Sequence, residues 1–388
     1  MQKKIIILGS TGSIGKSTLE VINKNKPLFD IILLTANNNY KELVRQAIKF
    51  NVKNVLINNK KYYLKTKKLL RGSSVNVYSG DTSISKIVFE KVDFTMSAIV
   101  GLAGLQPTID SICVSKIVAL ANKEAIICGW EILSKMKKAY NTEILPVDSE
   151  HFSIMELTKN SNDKKIKEII ITASGGPFLN ITNKKLKKVK PKEATKHPNW
   201  KMGKKISVDS ATLMNKVFEV IEAYKFFPFN KKKYKILIHP QSYVHSIVHF
   251  NNGLVKMILY NPDMKIPISN IILEKNFKFP KSKKLNAEFL NNMNFFEPNR
   301  KKFPAIQIID KCLKFGPSTP IIVNASNEEL VSLFLKGKIP FLDIVETINR
   351  IFKDKEFKKY AKRIVKSVNE IKIIDTWARE KINKLCIK

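Results

Sequence analysis

The stretch that decides the fold is "KIIILGSTGSIGKST" at residues 4–18. A strand-like apolar run leads into three glycines, Gly9, Gly12 and Gly15, spaced three residues apart. A triphosphate loop requires G-x-x-x-x-G-K-[ST], and its first glycine would fall on Ser10. The dinucleotide fingerprint G-x-G-x-x-G also places its first glycine on Ser10. The stretch therefore predicts a phosphate-cradling turn, but neither pattern alone names the nucleotide.

Strand-like runs alternate with helix-length amphipathic segments up to about residue 150. The runs are "KIIIL" (4–8), "DIILLT" (30–35), "KNVLI" (53–57), "VNVY" (75–78), "VDFTMS" (92–97), "KIVAL" (116–120) and "TEILPV" (142–147). This alternation predicts an α/β fold with a parallel, doubly wound sheet of the Rossmann type, in which ligands bind at the carboxyl ends of the strands. Cofactor binding is therefore favoured over a plain tight turn. A helix beginning near Gly15 presents N–H groups to an anion, while Gly12 and Gly15 leave room for a pyrophosphate.

The pattern changes beyond residue 150. Buried strands at 167–172 and 235–238 and a hairpin over 243–260 predict a central α+β domain, and helical periodicity after 300 predicts a small all-helical domain. We expect a dinucleotide domain at 1–150, a catalytic domain at 151–280 with a mobile, irregular lid loop at 193–205, a linker at 281–299 and a C-terminal domain at 300–388.

Composition narrows the class of protein. Lys and Arg number 69 against 33 acidic residues, a net charge of +36, which raises the possibility of nucleic-acid binding. The lysines are spread along the whole chain without an aromatic or zinc-finger motif, so a solvated basic surface is the better interpretation, with no specific nucleic-acid partner. No apolar run approaches the ~20 residues that cross a bilayer, and a secretory signal is not indicated. The four widely spaced cysteines suggest neither a disulfide framework nor zinc, so we expect a cytoplasmic protein.

The end of the second predicted strand bears on the choice of dinucleotide. A site for NAD usually places an acid there to bind the ribose 2′-hydroxyl. Residues 35–39 read "TANNN" and contain no acid. Because a carboxylate there would repel a 2′-phosphate, its absence favours NADP.

A candidate metal site lies in "PVDSEHF" at 146–152. Asp148 and Glu150 are two residues apart, so in an extended chain they point the same way, and close carboxylates repel unless a cation separates them. Oxygen ligands suit Mg²⁺ or Mn²⁺. Lys123, in "LANKEAI" after the preceding strand, falls at the same end of the sheet. Ordinary solvated side chains are the alternative.

The segment "SVDSATLMNKVFEVIEAY" at 207–224 predicts an amphipathic helix. Asn215 and Glu219 share one face at i and i+4, and Glu219 is the candidate third carboxylate. Ser210, Asn215 and Lys216 fall at or near the predicted helix start, where a phosphate is favoured. Ser174, in the glycine turn "TASGGPF", is a further phosphate donor. A polar outer helix face is the alternative.

Two histidine-containing segments remain. The loop "EATKHPNWKMGKK" carries His197, Trp200 and Met202, whose apolar side chains are expected to cover a ligand or to pack on a neighbouring domain. The histidines of "HPQSYVHSIVHF" lack nearby cysteine ligands, so structural roles in the hairpin are favoured over zinc.

These segments, in this order, resemble the 1-deoxy-D-xylulose 5-phosphate reductoisomerase family over nearly the whole chain, with the C-terminal part matching loosely. The segments that carry the resemblance are "ILGSTGSIG", "AIVGLAGLQPT", "LANKE", "PVDSEHF", "TASGGPF", "ATKHPNWKMGKKISVDSATLMNKVFEVIEA" and "IHPQSYVHSIVHF". The resemblance implies a homodimeric enzyme of non-mevalonate isoprenoid biosynthesis. Its substrate is a sugar phosphate, which it rearranges and reduces to 2-C-methyl-D-erythritol 4-phosphate with NADPH and Mg²⁺ or Mn²⁺.

The resemblance also implies roles for individual residues. Asp148, Glu150 and Glu219 would hold the metal, and Ser174, Ser210, Asn215 and Lys216 the substrate phosphate. Lys123, Ser149 and His197 would touch the sugar backbone, and Trp200 and Met202 would lie on a closing lid. The NADPH site would be lined by Thr11, Gly12, Ser13, Ile14, Asn39, Asn122, Glu124 and Gly203.

One position departs from the family pattern. The family usually has a glycine followed by a basic residue before Asn39, and this chain has Asn37 and Asn38 there. A missing cation beside the 2′-phosphate implies weaker selectivity for NADP. Two rival hypotheses remain from the residues: another NAD(P)-dependent dehydrogenase of a phosphorylated sugar, and a non-catalytic nucleic-acid-binding protein on a Rossmann scaffold.

Overall fold

The computed structural model describes residues 2–80, 82–200, 202–273, 278–279 and 286–386. Lys201 of the predicted lid loop and residues 281–285 of the predicted linker lie outside these ranges. The chain forms two compact units. The first comprises Met1–Ala125, Glu131–Phe152 and Asp263–Lys281, and the second comprises Ile126–Trp130, Ser153–Pro262 and Ser282–Lys388.

A parallel sheet forms the centre of the first unit. Among the described residues its strands are β1 (Lys3–Leu8), β2 (Phe29–Ala36), β3 (Asn54–Ile57), β4 (Asn76–Ser79), β5 (Val92–Ser97), β6 (Ser115–Leu120) and β7 (Glu143–Pro146), in the spatial order β4-β3-β2-β1-β5-β6-β7. Every neighbouring pair is parallel. The strand order reverses beside β1, which confirms the predicted doubly wound sheet and puts its switch point at the glycine turn.

Helices follow the strands of this sheet. They are α1 (Ser13–Lys24), α2 (Tyr40–Phe50), α3 (Tyr63–Leu69), α4 (Leu105–Cys113), α5 (Lys123–Ala139) and α6 (Ser149–Thr158). Asparagines begin two of them: the Asn39 side chain accepts from the N–H of Glu42 at the start of α2, and Asn122 accepts from Ala125 at the start of α5. Such caps satisfy amides that have no partner within the helix.

The β1 strand shows why this sheet forms. Ile5, Ile6, Ile7 and Leu8 are all fully buried, and alternate residues join two separate apolar clusters, one on each face of the sheet. A parallel strand buried on both faces reads as a continuous apolar run, which is the pattern of the sequence here.

The second unit contains a mixed sheet and most of the remaining helices. Within the described residues its strands are β8 (Ile166–Ala173), β9 (Tyr234–Ile238), β10 (Val244–Phe250) and β11 (Val255–Leu259), in the order β11-β10-β8-β9. β8 and β9 are parallel, while β10 is antiparallel to both β8 and β11. The β10–β11 pair confirms the predicted hairpin.

The remaining helices vary widely in length. They are α7 (Asn183–Leu186), α8 (Pro191–Ala194), α9 (Lys204–Thr212), α10 (Met214–Phe226), α11 (Lys265–Ile272), α12 (Ala287–Asn291), α13 (Ile308–Phe315), α14 (Thr319–Leu335), α15 (Asp343–Ile351), α16 (Phe357–Ala361) and α17 (Val368–Cys386). The C-terminal helical region is therefore confirmed. The irregular loop expected at 193–205 is shorter than predicted, because α8 and α9 take up its two ends.

The return of the chain to the first unit is made by α11. Its Ile268 and Ile272 join the same apolar cluster as Leu19 and Ile22 of α1. Among the described residues, no helix combines the length and the apolar character needed to span a bilayer.

Candidate active site

The glycine turn links β1 to α1 through close backbone contacts. Gly9 has φ +76° and donates to the Thr35 hydroxyl over 2.9 Å, a conformation that favours glycine. A methyl group on Gly15 would lie 2.4 Å from the Gly9 carbonyl oxygen. Gly15 therefore packs α1 against the turn, which corrects the expectation that it clears space for a pyrophosphate. Gly12 and Ser13 are exposed at the helix start, where backbone N–H groups attract anions.

Thr11 and Ile14, two more of the predicted cofactor residues, flank this exposed helix start and are half-buried. Asn39, which follows β2, begins α2. The strand itself is extended by side-chain pairs that sequence reasoning did not anticipate: Asn58 donates to the Asn37 side chain over 3.1 Å, and Asn59 donates to Asn38 over 2.7 Å. Asn37 and Asn38, which differ from the family pattern, therefore form side-chain hydrogen bonds that join the end of β2 to the end of β3.

Asn122 and Glu124 lie after β6 and contact the loop that follows β5. The Asn122 amide donates to the carbonyl oxygens of Ile99 and Gly101, and the Glu124 carboxylate accepts from the Gly101 N–H over 3.3 Å. Both predicted cofactor residues therefore shape the loop at the carboxyl end of the sheet.

The ends of β6 and β7 meet as expected. The Lys123 ammonium lies 2.6 Å from the Asp148 carboxylate, and both side chains are mostly buried. The His151 ring is 3.7 Å from the same carboxylate. Lys123 is thus held by an acid at the sheet end, and the interpretation of it as an ordinary surface charge is wrong.

Glu150 is helical, and the extended geometry expected for Asp148 and Glu150 is wrong. α6 begins at Ser149, and the Asp148 carboxylate accepts from the Glu150 N–H over 3.2 Å. The cause is local, because an aspartate before a helix satisfies the first amides of that helix. Ser149 donates its hydroxyl to the Glu150 carboxylate.

In the second unit, the "TASGGPF" turn brings a serine to the lid loop. Ser174 Oγ lies 2.9 Å from His197 Nε2 and accepts from the Gly176 N–H over 3.1 Å. The same turn packs tightly on α9, since a methyl group on Gly176 would lie 2.7 Å from the Ser210 carbonyl oxygen. Ser174, His197 and Ser210 are thereby brought together.

The predicted helix over 207–224 is broken into two. Leu213 adopts φ +61° between α9 and α10, so Ser210 lies in the last turn of α9 and not at a helix start. Asn215 and Lys216 do lie in the first turn of α10, as predicted.

The expected i, i+4 pair on α10 is present. The Asn215 amide donates to the Glu219 carboxylate, and the Lys216 ammonium lies 2.5 Å from the other oxygen of that carboxylate. Glu219 is almost fully buried, and a buried carboxylate is stable only with such partners. The alternative of a solvated polar helix face is therefore wrong for these residues.

His197 is neutral near physiological pH. Burial, with a smaller effect of the Lys216 charge, lowers the pKa of His197 from 6.5 to about 4. Its Nδ1 accepts from the backbone N–H groups of Asn199 and Trp200 over 3.1 and 2.9 Å. An accepting Nδ1 requires the hydrogen to be on Nε2, so Nε2 donates to Ser174. The Ser174 hydroxyl hydrogen is then directed to another acceptor.

The loop around Trp200 rests on the second sheet. The Asn199 amide donates to the Pro240 carbonyl over 2.6 Å, and the Trp200 ring lies 6.2 Å from the His245 ring. Met202 is half-buried, and Gly203 is exposed at the position preceding α9.

The hairpin histidines take packing roles. His245 is buried and stacks on Tyr260 with ring centroids 4.0 Å apart, while His239 stacks on Phe295 at 4.6 Å. Burial lowers the pKa of His239, although its hydrogen bond to a backbone carbonyl opposes this effect.

Sequence reasoning missed Asp209, a nearly fully buried acid in α9. The sequence contained one indication of its burial, because the five residues after Asp209 are all small or apolar. One partner of this charge, Lys205, is four residues earlier on the same helix, but the other lies far along the chain, where no local pattern reveals it.

The switch point at the glycine turn, together with Asn122 and Glu124 at the carboxyl end of β6, is typical of dinucleotide-dependent oxidoreductases of the doubly wound α/β class. Three family models match the chain. The model for 1-deoxy-D-xylulose 5-phosphate reductoisomerase matches residues 5–129, and two models, each described as the C-terminal domain of that enzyme, match residues 144–227 and 259–381. The chain belongs to the 1-deoxy-D-xylulose 5-phosphate reductoisomerase family.

Similar proteins cover the chain from end to end. The 1-deoxy-D-xylulose 5-phosphate reductoisomerase of Pelagibacter ubique is 45% identical over 99% of this chain and 100% of its own length. The structure titled as that enzyme from Zymomonas mobilis in complex with NADPH has a TM-score of 0.92 and 36% identity, covering 100% of both chains. A reductoisomerase structure titled as a complex with NADPH, fosmidomycin and magnesium has a TM-score of 0.91 and 32% identity, covering 99% of both.

Proposed function

We propose that this chain converts 1-deoxy-D-xylulose 5-phosphate to 2-C-methyl-D-erythritol 4-phosphate, with oxidation of NADPH and a divalent metal, in non-mevalonate isoprenoid biosynthesis. The single observation that carries this conclusion is the end-to-end match to proteins named for this reaction. Similar structures titled as complexes with NADPH and with magnesium support the two cofactors.

For the metal we propose Asp148, Glu150 and Glu219 as ligands. Their chemistry fits, because three carboxylates offer the hard oxygen donors that Mg²⁺ and Mn²⁺ prefer. Asp148 already has a cation, Lys123, within hydrogen-bonding distance, so this carboxylate is arranged to face positive charge. When bound, the metal supplies Lewis-acid polarisation of the substrate carbonyl.

For the substrate phosphate we propose Ser174, Ser210, Asn215 and Lys216. In the second unit the Gly176 turn contacts α9, and His197 donates to Ser174, which directs the serine hydroxyl hydrogen to an acceptor such as a phosphate oxygen. The Lys216 ammonium supplies the positive charge. Binding of this remote group helps exclude water from the reacting carbon atoms.

The remaining substrate contacts follow from the same similarity. Lys123 and Ser149 would bind the sugar oxygens in the first unit, and His197 would do so from the second. A neutral imidazole suits this role, since it binds hydroxyl groups without placing a cation beside the metal. Trp200 and Met202 would cover the substrate, which the half-buried state of both side chains supports.

For the dinucleotide we propose the turn and strand ends of the first unit, together with the residue that precedes α9. NADPH supplies the hydride, and the exposed start of α1 attracts its pyrophosphate. The lining residues are Thr11, Gly12, Ser13, Ile14, Asn39, Asn122, Glu124 and Gly203.

The assembly and location are also proposals. The exposed apolar side chains of the β11 edge support a homodimer. The reduced thiols of Cys113, Cys312 and Cys386 support a cytoplasmic location. The domain boundaries at 150, 280 and 300 remain a prediction.

One assay tests the function. NADPH oxidation is followed with 1-deoxy-D-xylulose 5-phosphate, with and without Mg²⁺ or Mn²⁺. Turnover with another phosphorylated sugar alone would favour a different dehydrogenase. Duplex DNA binding with a steep salt dependence and no turnover would favour the nucleic-acid hypothesis.

A further inference from the structure

The buried carboxylate of Asp209 joins α9 to α14, a helix of the C-terminal region. Its Oδ1 accepts from the Asn327 amide over 2.7 Å, and its Oδ2 lies 3.0 Å from the Lys205 ammonium. Asp209 is 1% exposed and Asn327 is fully buried in α14. A charge removed from water in this way is stable only when it is paired and hydrogen-bonded.

The direction of the Asn327 amide is fixed by this carboxylate. An ionised carboxylate accepts hydrogen bonds and cannot donate, so the amide nitrogen must face it. The amide oxygen is buried and makes no hydrogen bond among the described residues. The contact to Asp209 is therefore the polar interaction that orients this side chain.

The residue after Asp209 is Ser210, which meets the "TASGGPF" turn. The Ser210 carbonyl occupies the space that a side chain on Gly176 would need, and the Gly176 N–H donates to Ser174. α9 is thus held by Asn327 through one residue and abuts the serine turn through the next. A shift of α9 would displace Ser174 and Ser210 together, because the Gly176 backbone packs closely against the Ser210 carbonyl.

We propose that Asn327 is a positioning residue for substrate phosphate binding, acting through Asp209 on the Ser210 end of α9. The proposal rests on the assignment of Ser174 and Ser210 to the phosphate under the proposed function. It gives the C-terminal helical region a part in substrate recognition, although Asn327 itself does not touch the substrate.

The test compares Asn327→Leu with the wild-type enzyme. The leucine side chain branches at the same atom but cannot donate to Asp209. We expect the KM for 1-deoxy-D-xylulose 5-phosphate to rise about tenfold, as for the loss of one hydrogen bond to a charged group. The kcat and the KM for NADPH should change less than the substrate KM, because Asp209 adjoins Ser210, whereas Gly203 lies at the opposite end of α9.

Asn324→Leu is the matched control. It makes the same substitution on the same buried helix, one turn earlier, and Asn324 donates to Glu328 over 3.4 Å instead of to α9. A general loosening of α14 would raise the substrate KM equally in both variants, and that outcome would overturn the proposal.

Lys205→Met keeps the proposal testable should Asn327→Leu fail to fold. The variant removes Lys205, the partly exposed second partner of Asp209. We expect the substrate KM to rise, as in Asn327→Leu. An unchanged KM in this variant counts against the proposal. In Asn327→Leu and Lys205→Met, the affinity for inorganic phosphate, measured by calorimetry, should fall as the substrate KM rises. Because that measurement needs no turnover, it separates failure of this proposal from failure of the proposed function.

Discussion

The imidazole of His197 donates to the hydroxyl of Ser174 across 2.9 Å, from the lid loop to the turn after β8. Two backbone amides hold the other ring nitrogen, so the histidine is fixed in its neutral form. The pair orients one hydroxyl hydrogen without introducing a second cation beside Lys216. It links the position of the loop to the proposed phosphate site.

The depressed pKa of His197 predicts an acid-side loss of stability. Because the folded pKa of about 4 lies below the ordinary 6.5, the unfolded chain binds more protons between these values. The free energy of unfolding should therefore fall as pH falls from 6.5 towards 4. Urea unfolding at a series of pH values should show a shallower decline for His197→Asn than for the wild type. Equal slopes would contradict the assignment, as would an imidazole NMR titration near 6.5.

Glu219→Gln should abolish most activity with the fold intact. The change removes a proposed metal ligand while keeping a group that can face Asn215. At saturating Mg²⁺, kcat should fall by more than the roughly 10–100-fold that loss of an outer partner of a metal ligand costs. Glu222→Gln is the matched control, being a buried acid on the same helix. Wild-type-like kinetics for Glu219→Gln would refute its role, and turnover that persists in excess chelator would refute the metal.

Asn38→Lys should improve the use of NADPH. The Asn38 side chain accepts from Asn59 at the end of β2, where a lysine would place a cation near the ribose. We expect the KM for NADPH to fall by roughly fivefold, as for an exposed ion pair worth up to about 1 kcal/mol. The KM for NADH should not change, because NADH has no 2′-phosphate. An equal effect on both nucleotides would mean that selectivity is set elsewhere.

Charge on the β11 edge should separate the proposed dimer. Val255 and Met257 point the same way and are 53% and 41% exposed on an edge strand, where charged residues prevent pairing. Sedimentation of Met257→Glu should show a monomer at concentrations where the wild type is dimeric. Leu64→Glu, at another exposed apolar residue, should leave the dimer unchanged. If Met257→Glu is still a dimer, the interface does not include the β11 edge.

The sequence was a good guide wherever a local period determines the structure. The apolar run before Gly9 and the alternation after it predicted a parallel sheet, because strands buried on both faces need continuous apolar residues. The spacing of Asn215 and Glu219 predicted their contact, because residues four apart on a helix are neighbours. The i, i+4 geometry does not depend on the rest of the fold.

Features set by conformation at one residue, or by distant partners, were not predictable. Leu213 breaks a helix in a left-handed conformation that glycine or asparagine normally signals. α6 begins at Ser149 because the Asp148 side chain accepts a hydrogen bond from the first turn of the helix. The apolar run before Asp148 predicts a strand and gives no sign of this helix start. Asn327 lies 118 residues from Asp209, so only the folded chain reveals their contact.

The helix α11 completes the core of the first unit late in synthesis. Its side chains fill the same core as α1, yet it is translated only after the whole of the second sheet. A ribosome therefore releases the glycine turn and all seven described parallel strands long before the helix that completes their core. Until α11 is made, Leu19 and Ile22 of α1 lack the contacts that this helix supplies, so the core of the first unit is completed only after the second sheet has been translated.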